Sequence, residues 1–337
     1  MFGDVVQVSG TGSASFTNPT AQPNKAVTVS GFGLSGVGAG NYTLTQPAGL
    51  IADVAPSAQT VTFGSLTGKV YGEPPIQLTP ETTSGLPVSL TVVGGSASIR
   101  GGTLTVLAAG TITVRASQDG TINYLPAEAV EQSFVVTPRP VSVIGLAAVN
   151  RPYDATTQAP LVGTAALAVG SILLDDDVVL SGTAIGTFDS GTVGAVKPVT
   201  VSGLSLTGAK ASSYELMPVT GFVADITTRF VNVVNVLAQD KVYDGQLSVA
   251  LVGEATPVGL VEGDAVTFVP KSVGMLEDPN AGASKLVFTD YQLTGPSAPN
   301  YTLLQPDYVK ASVTPKELTI SGLSAVSRIF NNTAGVA

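Results

Sequence analysis

The 337-residue chain has no cysteine, no histidine and no tryptophan. Without cysteine there is no disulfide to brace the fold and no thiol nucleophile; without histidine, Ser-His-Asp triads and histidine-ligated metals are excluded. The missing cysteine assigns no redox compartment, because exported proteins also do without it. Basic residues are scarce: 15 Lys and Arg stand against 24 Asp and Glu, a formal charge of -9. Nucleic-acid binding needs clustered cations, so nucleic acid and anionic membrane surfaces are disfavoured as partners. No apolar run approaches the roughly 18 residues of a membrane helix, and no Gly-x-Gly-x-x-Gly joins a strand to a helix to cradle a nucleotide. A glycosidase-type carboxylate pair remains open in principle, since it needs only two Asp or Glu at a suitable separation. The acids, however, mostly recur with the repeat described next, as turn and surface residues do. The sequence therefore predicts no enzyme, no catalytic residue, no metal site and no cofactor.

What is present is strand composition in a repeating frame. Val, Ala, Leu and Ile alternate with Thr, Ser and Gly, most clearly in Gly110 to Ser117, where Ile112, Val114 and Ala116 fall on one face. Similar alternation runs through Ala26 to Ser30, Gln132 to Val136 and Pro198 to Ser202, each bounded by turn residues. Asn41-Tyr42-Thr43-Leu44-Thr45-Gln46-Pro47 returns as Asn300-Tyr301-Thr302-Leu303-Leu304-Gln305-Pro306, with weaker copies at Ser213-Tyr214 and Asn123-Tyr124. Tyr42, Tyr124, Tyr214 and Tyr301 are spaced by 82, 90 and 87 residues. That period is too long for a solenoid repeat and suits a small self-contained domain. The fold class expected is all-β, a tandem array of immunoglobulin-like β-sandwich modules.

Seams recur at the same period: Val54-Ala55-Pro56, Val136-Thr137-Pro138, Ile226-Thr227-Thr228 and Val313-Thr314-Pro315. They divide the chain into 1–56, the latter part of a module; complete modules at 57–137, 138–228 and 229–315; and 316–337, the start of another. Linkers this short hold neighbours at a restricted angle. Met1-Phe2-Gly3-Asp4 has neither the basic region nor the apolar stretch of a signal peptide, so the chain reads as a segment of something longer. The partial units cannot close a sandwich and are expected to be frayed or association-prone. Simple truncation is the favoured account of them, with strand donation to a neighbouring chain as the alternative.

Three units share a fuller signature. After an opening strand come Arg151-Pro152-Tyr153-Asp154-Ala155, Lys241-Val242-Tyr243-Asp244-Gly245 and Arg328-Ile329-Phe330-Asn331-Asn332. Asp177-Val178, Asp264-Ala265 and, in the partial first unit, Asp4-Val5 come downstream, and Gly36, Gly208 and Gly295 each stand six residues before a Tyr. This pattern resembles the YDG repeat of large bacterial surface proteins. Residues 57–137 differ, with Lys69-Val70-Tyr71-Gly72-Glu73-Pro74-Pro75 and Ala116-Ser117-Gln118-Asp119-Gly120, and resemble the immunoglobulin-like MBG modules found among YDG repeats. The resemblance implies an exported bacterial adhesin or filamentous-haemagglutinin-type protein at the cell surface, in which such modules act as stalk. Partners implied are the neighbouring modules, with gripping of a glycan or host protein by the array as the rival reading. An enzyme accessory domain is a third class, which needs a catalytic domain elsewhere in the gene.

The bland readings of the recurrent residues are the expected ones. In Tyr301-Thr302-Leu303 the Tyr and Leu share a face, which predicts an inward ring whose hydroxyl finds a backbone partner. Tyr-Asp-Gly suits a tight turn, with the Asp bonding locally and the Gly at positive φ. Asp175-Asp176-Asp177 is the one acidic run with coordination potential, but it lacks the order of a calcium loop and is expected to be a solvated loop.

Overall fold

A computed structural model describes residues 3–325, 327–330, 332 and 334. The alternating segments form strands because period-2 alternation buries one pleat face and solvates the other. The segment Gly110–Ser117 is one strand, and Ile112, Val114 and Ala116 are all fully buried. The described residues contain no α-helix; single 3-10 turns at Ala39–Asn41, Ala211–Ser213 and Ala298–Asn300 lead into Tyr42, Tyr214 and Tyr301. The expected all-β sandwich architecture is therefore present.

The chain forms two compact units: 1–142 with 167–181 and 205–217, and 143–166 with 182–204 and 218–337. Residues 138–228 thus contribute to both.

In the first unit, residues 57–137 form a sandwich. One sheet has the order Ser89–Gly94, Gly110–Ser117, Val130–Thr137, Lys69–Val70; the other has Ala97–Arg100, Thr103–Val106, Ile76–Gln77. Leu104, Ile112, Val114, Phe134 and Val136 fill the space between them. Full burial of each such side chain stabilises the sandwich by about 1.5–3 kcal/mol. The core continues past the seam at Pro138 to include Val141 and Tyr214. Residues 3–56 contrast with this, since their only buried side chains are Ala21 and Lys25.

In the second unit, residues 229–315 form a sandwich of a three-stranded sheet (Thr256–Val258, Arg229–Val234, Tyr301–Leu304) and a six-stranded sheet ending in Lys310–Thr314 and Lys241–Val242. Val233, Val249, Leu276, Val287 and Val313 lie between them. The opening segment divides itself between the sheets. Arg229–Val234 runs parallel to Tyr301–Leu304 in one, and Lys241–Val242 runs parallel to Lys310–Thr314 in the other. The same parallel pairing joins Arg139–Val141 to Tyr214–Leu216 and Arg151–Pro152 to Val219–Thr227. A module therefore closes only when its first strand meets its last strands.

A second device recurs within the YDG-like segments. Asn24, Val196 and Ser284 hold φ of 51°, 52° and 52° at β-bulges, where the register slips before Lys25, Lys197 and Lys285. The bulge turns each lysine inward, and all three are buried. Oxygens of the adjoining hairpin receive the ammonium: Thr20 O at 2.6 Å from Lys25, Ser190 Oγ at 2.6 Å from Lys197, and Asn280 O at 3.0 Å from Lys285. Burial of the aliphatic stem is thus combined with solvation of the charge by the protein itself.

Candidate functional site

The recurring special residues converge at the seams. In the first unit, Tyr71, from the turn that closes residues 57–137, meets Tyr214 edge to face, with ring centroids 5.6 Å apart at 82°. Both hydroxyls donate to Asp176, Tyr71 to Oδ2 at 3.1 Å and Tyr214 to Oδ2 at 2.5 Å. In the second unit Tyr153 meets Tyr301 at 5.4 Å and 79°. Their hydroxyls donate to opposite oxygens of Asp264, at 3.1 and 2.5 Å. Each contact is an aromatic pair clamped by one carboxylate, which combines ring packing with two charge-assisted hydrogen bonds.

Backbone groups complete the arrangement. The amides of Leu173 and Val261 donate to the hydroxyls of Tyr214 and Tyr301, at 3.0 and 2.9 Å. The residue before each of these tyrosines reaches back across the seam: Ser213 Oγ accepts the Ala109 amide at 3.1 Å, and Asn300 Oδ1 accepts the Val193 amide at 3.0 Å. Arg139 and Arg229, at the start of the opening strands, donate through Nε to the carbonyls of Ser171 and Gly259. Burial, and then the hydrogen bond to Asp176, push the Tyr71 hydroxyl up to about 12; burial and Asp264 do the same for Tyr301. Tyr153 and Tyr214 are raised for the same reasons in the same order.

The local sequence explains how the lower tyrosine is presented. Asp244 Oδ1 accepts the Gln246 amide at 2.9 Å and Lys241 Nζ at 2.6 Å, while Gly245 takes φ 78°. Asp154 accepts the Thr156 amide at 2.9 Å, and Ala155 sits at φ 64° where glycine is the rule. The expected turn is therefore there, and it aims the preceding tyrosine out of the module end. Asn331, in the matching position of the last segment, lies outside the described residues.

The structure corrects two readings of the acids. Asp176, not Asp177, is the counterpart of Asp264 and Asp4: it lies 38 residues before its tyrosine, as Asp4 does, against 37 for Asp264. The frame is fixed by Gly36, Gly208 and Gly295, at φ 110°, 111° and 105°. A Cβ on them would lie 2.2, 2.4 and 2.5 Å from the carbonyl oxygens of Val5, Asp177 and Ala265. Nor is the acidic run only a solvated loop. Asp176 is half-buried against two rings, and Asp177 Oδ2 accepts the Ala209 amide at 3.0 Å. No group of three or more acids is placed to hold a metal ion among the described residues.

The tyrosine reading also needs amendment. Tyr214 and Tyr301 are inward as expected and each hydroxyl has a backbone partner, the Leu173 or Val261 amide, but each also donates to a carboxylate, which was not expected. Tyr124 is half-buried and makes no such pair; Asn123 alone reaches across its seam, accepting the Ala21 amide at 2.8 Å. Tyr42 donates to Asp4 at 3.2 Å while remaining exposed, and Tyr243 is 40% exposed where Tyr71 and Tyr153 are 5% and 4%.

Comparison with known proteins places these features in a family. The YDG domain model matches residues 1–49, 137–221 and 227–309, together more than half of the chain. No curated protein sequence matches. Among solved structures, Drosophila N-cadherin EC1-4 is similar at 12% identity and TM-score 0.24, covering 78% of this chain and 73% of that one. The Bacteroides ovatus mixed-linkage glucan utilization locus protein SGBP-B, in complex with a mixed-linkage heptasaccharide, is similar at 13% and 0.19, covering 79% and 70%. The three N-terminal domains of the bacteriophage RB49 outer capsid protein Hoc are similar at 13% and 0.22, covering 93% and 100%. The chain belongs to the YDG domain family.

Proposed function

We propose that this array is a non-catalytic spacer segment of an exported bacterial cell-surface adhesin, with recognition carried elsewhere in the parent protein. In the same reading, residues 57–137 are an MBG-like module interleaved with the YDG modules. The observation that supports this is the carboxylate-clamped tyrosine pair at two successive seams. A catalytic or ligand site gathers its special residues in one place. Here they recur at two successive joints, each joining a tyrosine of one module to the Asp and Tyr of the next, a distribution that suits a stalk. A flexible tether has no need of buried, hydrogen-bonded rings at its joints.

Small-angle X-ray scattering tests the reading. We expect an extended particle, each module adding roughly 25–35 Å as strands of this length dictate. Asp176→Ala and Asp264→Ala are expected to broaden the distance distribution. A compact particle would overturn the spacer role. Glycan-array binding by this segment, abolished by exposed point substitutions, would replace it with a binding role.

A further inference from the structure

One contact recurs in all three complete modules, separate from the seam rings and from the buried lysines. Two residues before the tyrosine of the signature stands a basic residue, Lys69, Arg151 or Lys241, and this short segment pairs in parallel with the end of the module's last strand. There the tyrosine amide donates to the carbonyl of a threonine: Tyr71 to Thr137 at 2.9 Å, Tyr153 to Thr227 at 2.9 Å, and Tyr243 to Thr314 at 2.8 Å. The hydroxyls of the same threonines donate back to the carbonyls of Lys69, Arg151 and Lys241, at 3.3, 3.4 and 3.4 Å. The basic side chain then ties this segment to the chain that follows it. Lys69 Nζ donates to the Pro74 carbonyl at 2.9 Å, Arg151 Nε to that of Gln158 at 2.8 Å, and Lys241 Nζ to those of Gln246 and Ser248 at 2.7 and 2.9 Å. The clasp is thus present in residues 57–137 as well, outside the family match.

We propose that this clasp bears tension, so that each module resists being drawn out when the chain is pulled along its length. The reason is one of direction. Tension reaches a module through its opening strand, drawn toward its N-terminus, and through its last strand, drawn toward its C-terminus. Because the two run parallel, they are displaced lengthwise in opposite senses, and the slanted bonds between them are loaded together instead of breaking one after another. The clasp stands where the load leaves, one residue before Pro138, Thr228 or Pro315. In residues 229–315 a second parallel pair, Arg229 to Asn232 beside Tyr301 to Leu304, stands where the load enters. The basic side chain adds a further hold, since the segment cannot slide until the cation is drawn off its carbonyls. Asp244 supports that hold by accepting both the Gln246 amide and Lys241 Nζ. The signature therefore has two separable parts: the tyrosine ring serves the joint, and the basic residue with the tyrosine amide serves the load. That such load arises rests on the spacer reading, whereas the geometry of the clasp does not.

Stretching the 337-residue chain by its two ends at constant force tests the proposal. The expected record has three steps, each about 250–280 Å long as a module of roughly 85 residues extends. Tyr243→Pro deletes the amide that meets Thr314, and Lys241→Met keeps the aliphatic stem while removing the ammonium. Each is expected to shorten the lifetime of one step about tenfold, as loss of one hydrogen bond from the barrier does, and to leave the other two steps unchanged. Leu276→Ala is the control, a buried residue on a strand whose sheet neighbours are Ser248–Val252 and Gly282–Phe288. It should lower thermal stability yet alter the lifetime less than about threefold, because the core is still packed when the clasp gives. Lys241→Met decides the matter if the proline prevents folding. Extension without steps overturns the proposal, as do unchanged lifetimes in Lys241→Met, or a step shortened as much by Leu276→Ala as by Lys241→Met. A compact particle in scattering would remove the spacer role and leave these steps in place, so the two readings fail separately.

Discussion

Removal of the Asp264 carboxylate is the sharpest test of the seam. Asp264→Ala leaves the hydroxyls of Tyr153 and Tyr301 without the acceptor that both use. Each buried donor left unsatisfied costs about 1–3 kcal/mol. Asp264 is itself half-buried, so water reaches the vacated site and recovers part of that cost, placing the expected loss at about 2–3 kcal/mol. Tyr153→Phe removes one donor and is expected to cost about 1 kcal/mol. Because hydrogen bonds to a charged group are stronger, the double-mutant cycle between the two should return a coupling of about 1.5–3 kcal/mol. Global unfolding of a multi-module chain is not two-state, so the assay should be local. Hydrogen exchange at the Val261 amide, which donates to Tyr301, reports opening of this seam, and the Ile112 amide in the other unit serves as control. Asp290→Ala, at an exposed acid 4.0 Å from Lys271, should change stability by less than about 0.5 kcal/mol. A Tyr153–Asp264 coupling below about 0.5 kcal/mol, or unchanged exchange at Val261 in Asp264→Ala, would refute the view that the carboxylate holds the seam.

Alkaline titration follows from the same contacts. The folded-state values of Tyr71 and Tyr301 are raised to about 12 from the ordinary 10.0. Their contribution, about 3 kcal/mol each from a shift of that size, is therefore complete below pH 10 and is lost as pH rises through about 12. Absorbance near 295 nm should show the ionisation of Tyr71 and Tyr301 still incomplete above pH 10, and complete titration of all nine tyrosines near pH 10 would contradict the geometry. Gly208→Ala forces a Cβ to 2.4 Å from the Asp177 carbonyl at φ 111° and should cost about 2–4 kcal/mol in thermal denaturation. Gly85→Ala, at φ 76° with open space around it, should cost about 1–2 kcal/mol, and equal effects at the two sites would undo the close-approach argument. Val196 occupies φ 52° as an exposed β-branched residue. Val196→Asn, the residue type at the matching Asn24, should stabilise by about 0.5–1 kcal/mol in urea titration, and a loss of stability would show that the valine is not strained.

Strands were the legible part of this fold. Gly110–Ser117 could be read residue by residue because burial of one pleat face leaves a local signature two residues long. The glycines before the tyrosines were visible as a pattern, but their cause was not, since the carbonyl that each approaches lies about 30 residues away in the chain. The seam contacts are more remote still: Tyr71 and Asp176 are 105 residues apart. The recurrence of an acid 37 or 38 residues before a tyrosine in three copies was the available signal. The acidic run hid it, because Asp175, Asp176 and Asp177 offer three frames and only Gly208 beneath the Asp177 carbonyl selects one. The left-handed bulges at Val196 and Ser284 had no signal, because neither residue type advertises positive φ.

Tyr71 comes from the segment that the YDG family does not match, yet it is clamped by Asp176 and Tyr214 in the manner of Tyr153 at Asp264 and Tyr301. The Asp-Tyr surface of a YDG module therefore accepts a tyrosine from a module inside or outside the family match. Recombination that duplicates or deletes YDG repeats would leave each junction onto a YDG module with the same three groups, whereas the junction onto residues 57–137, where Tyr124 has no such pair, is built differently. An inserted YDG module would thus bring its own acceptor pair for the tyrosine of whichever module precedes it, and the array could change length in whole-repeat steps.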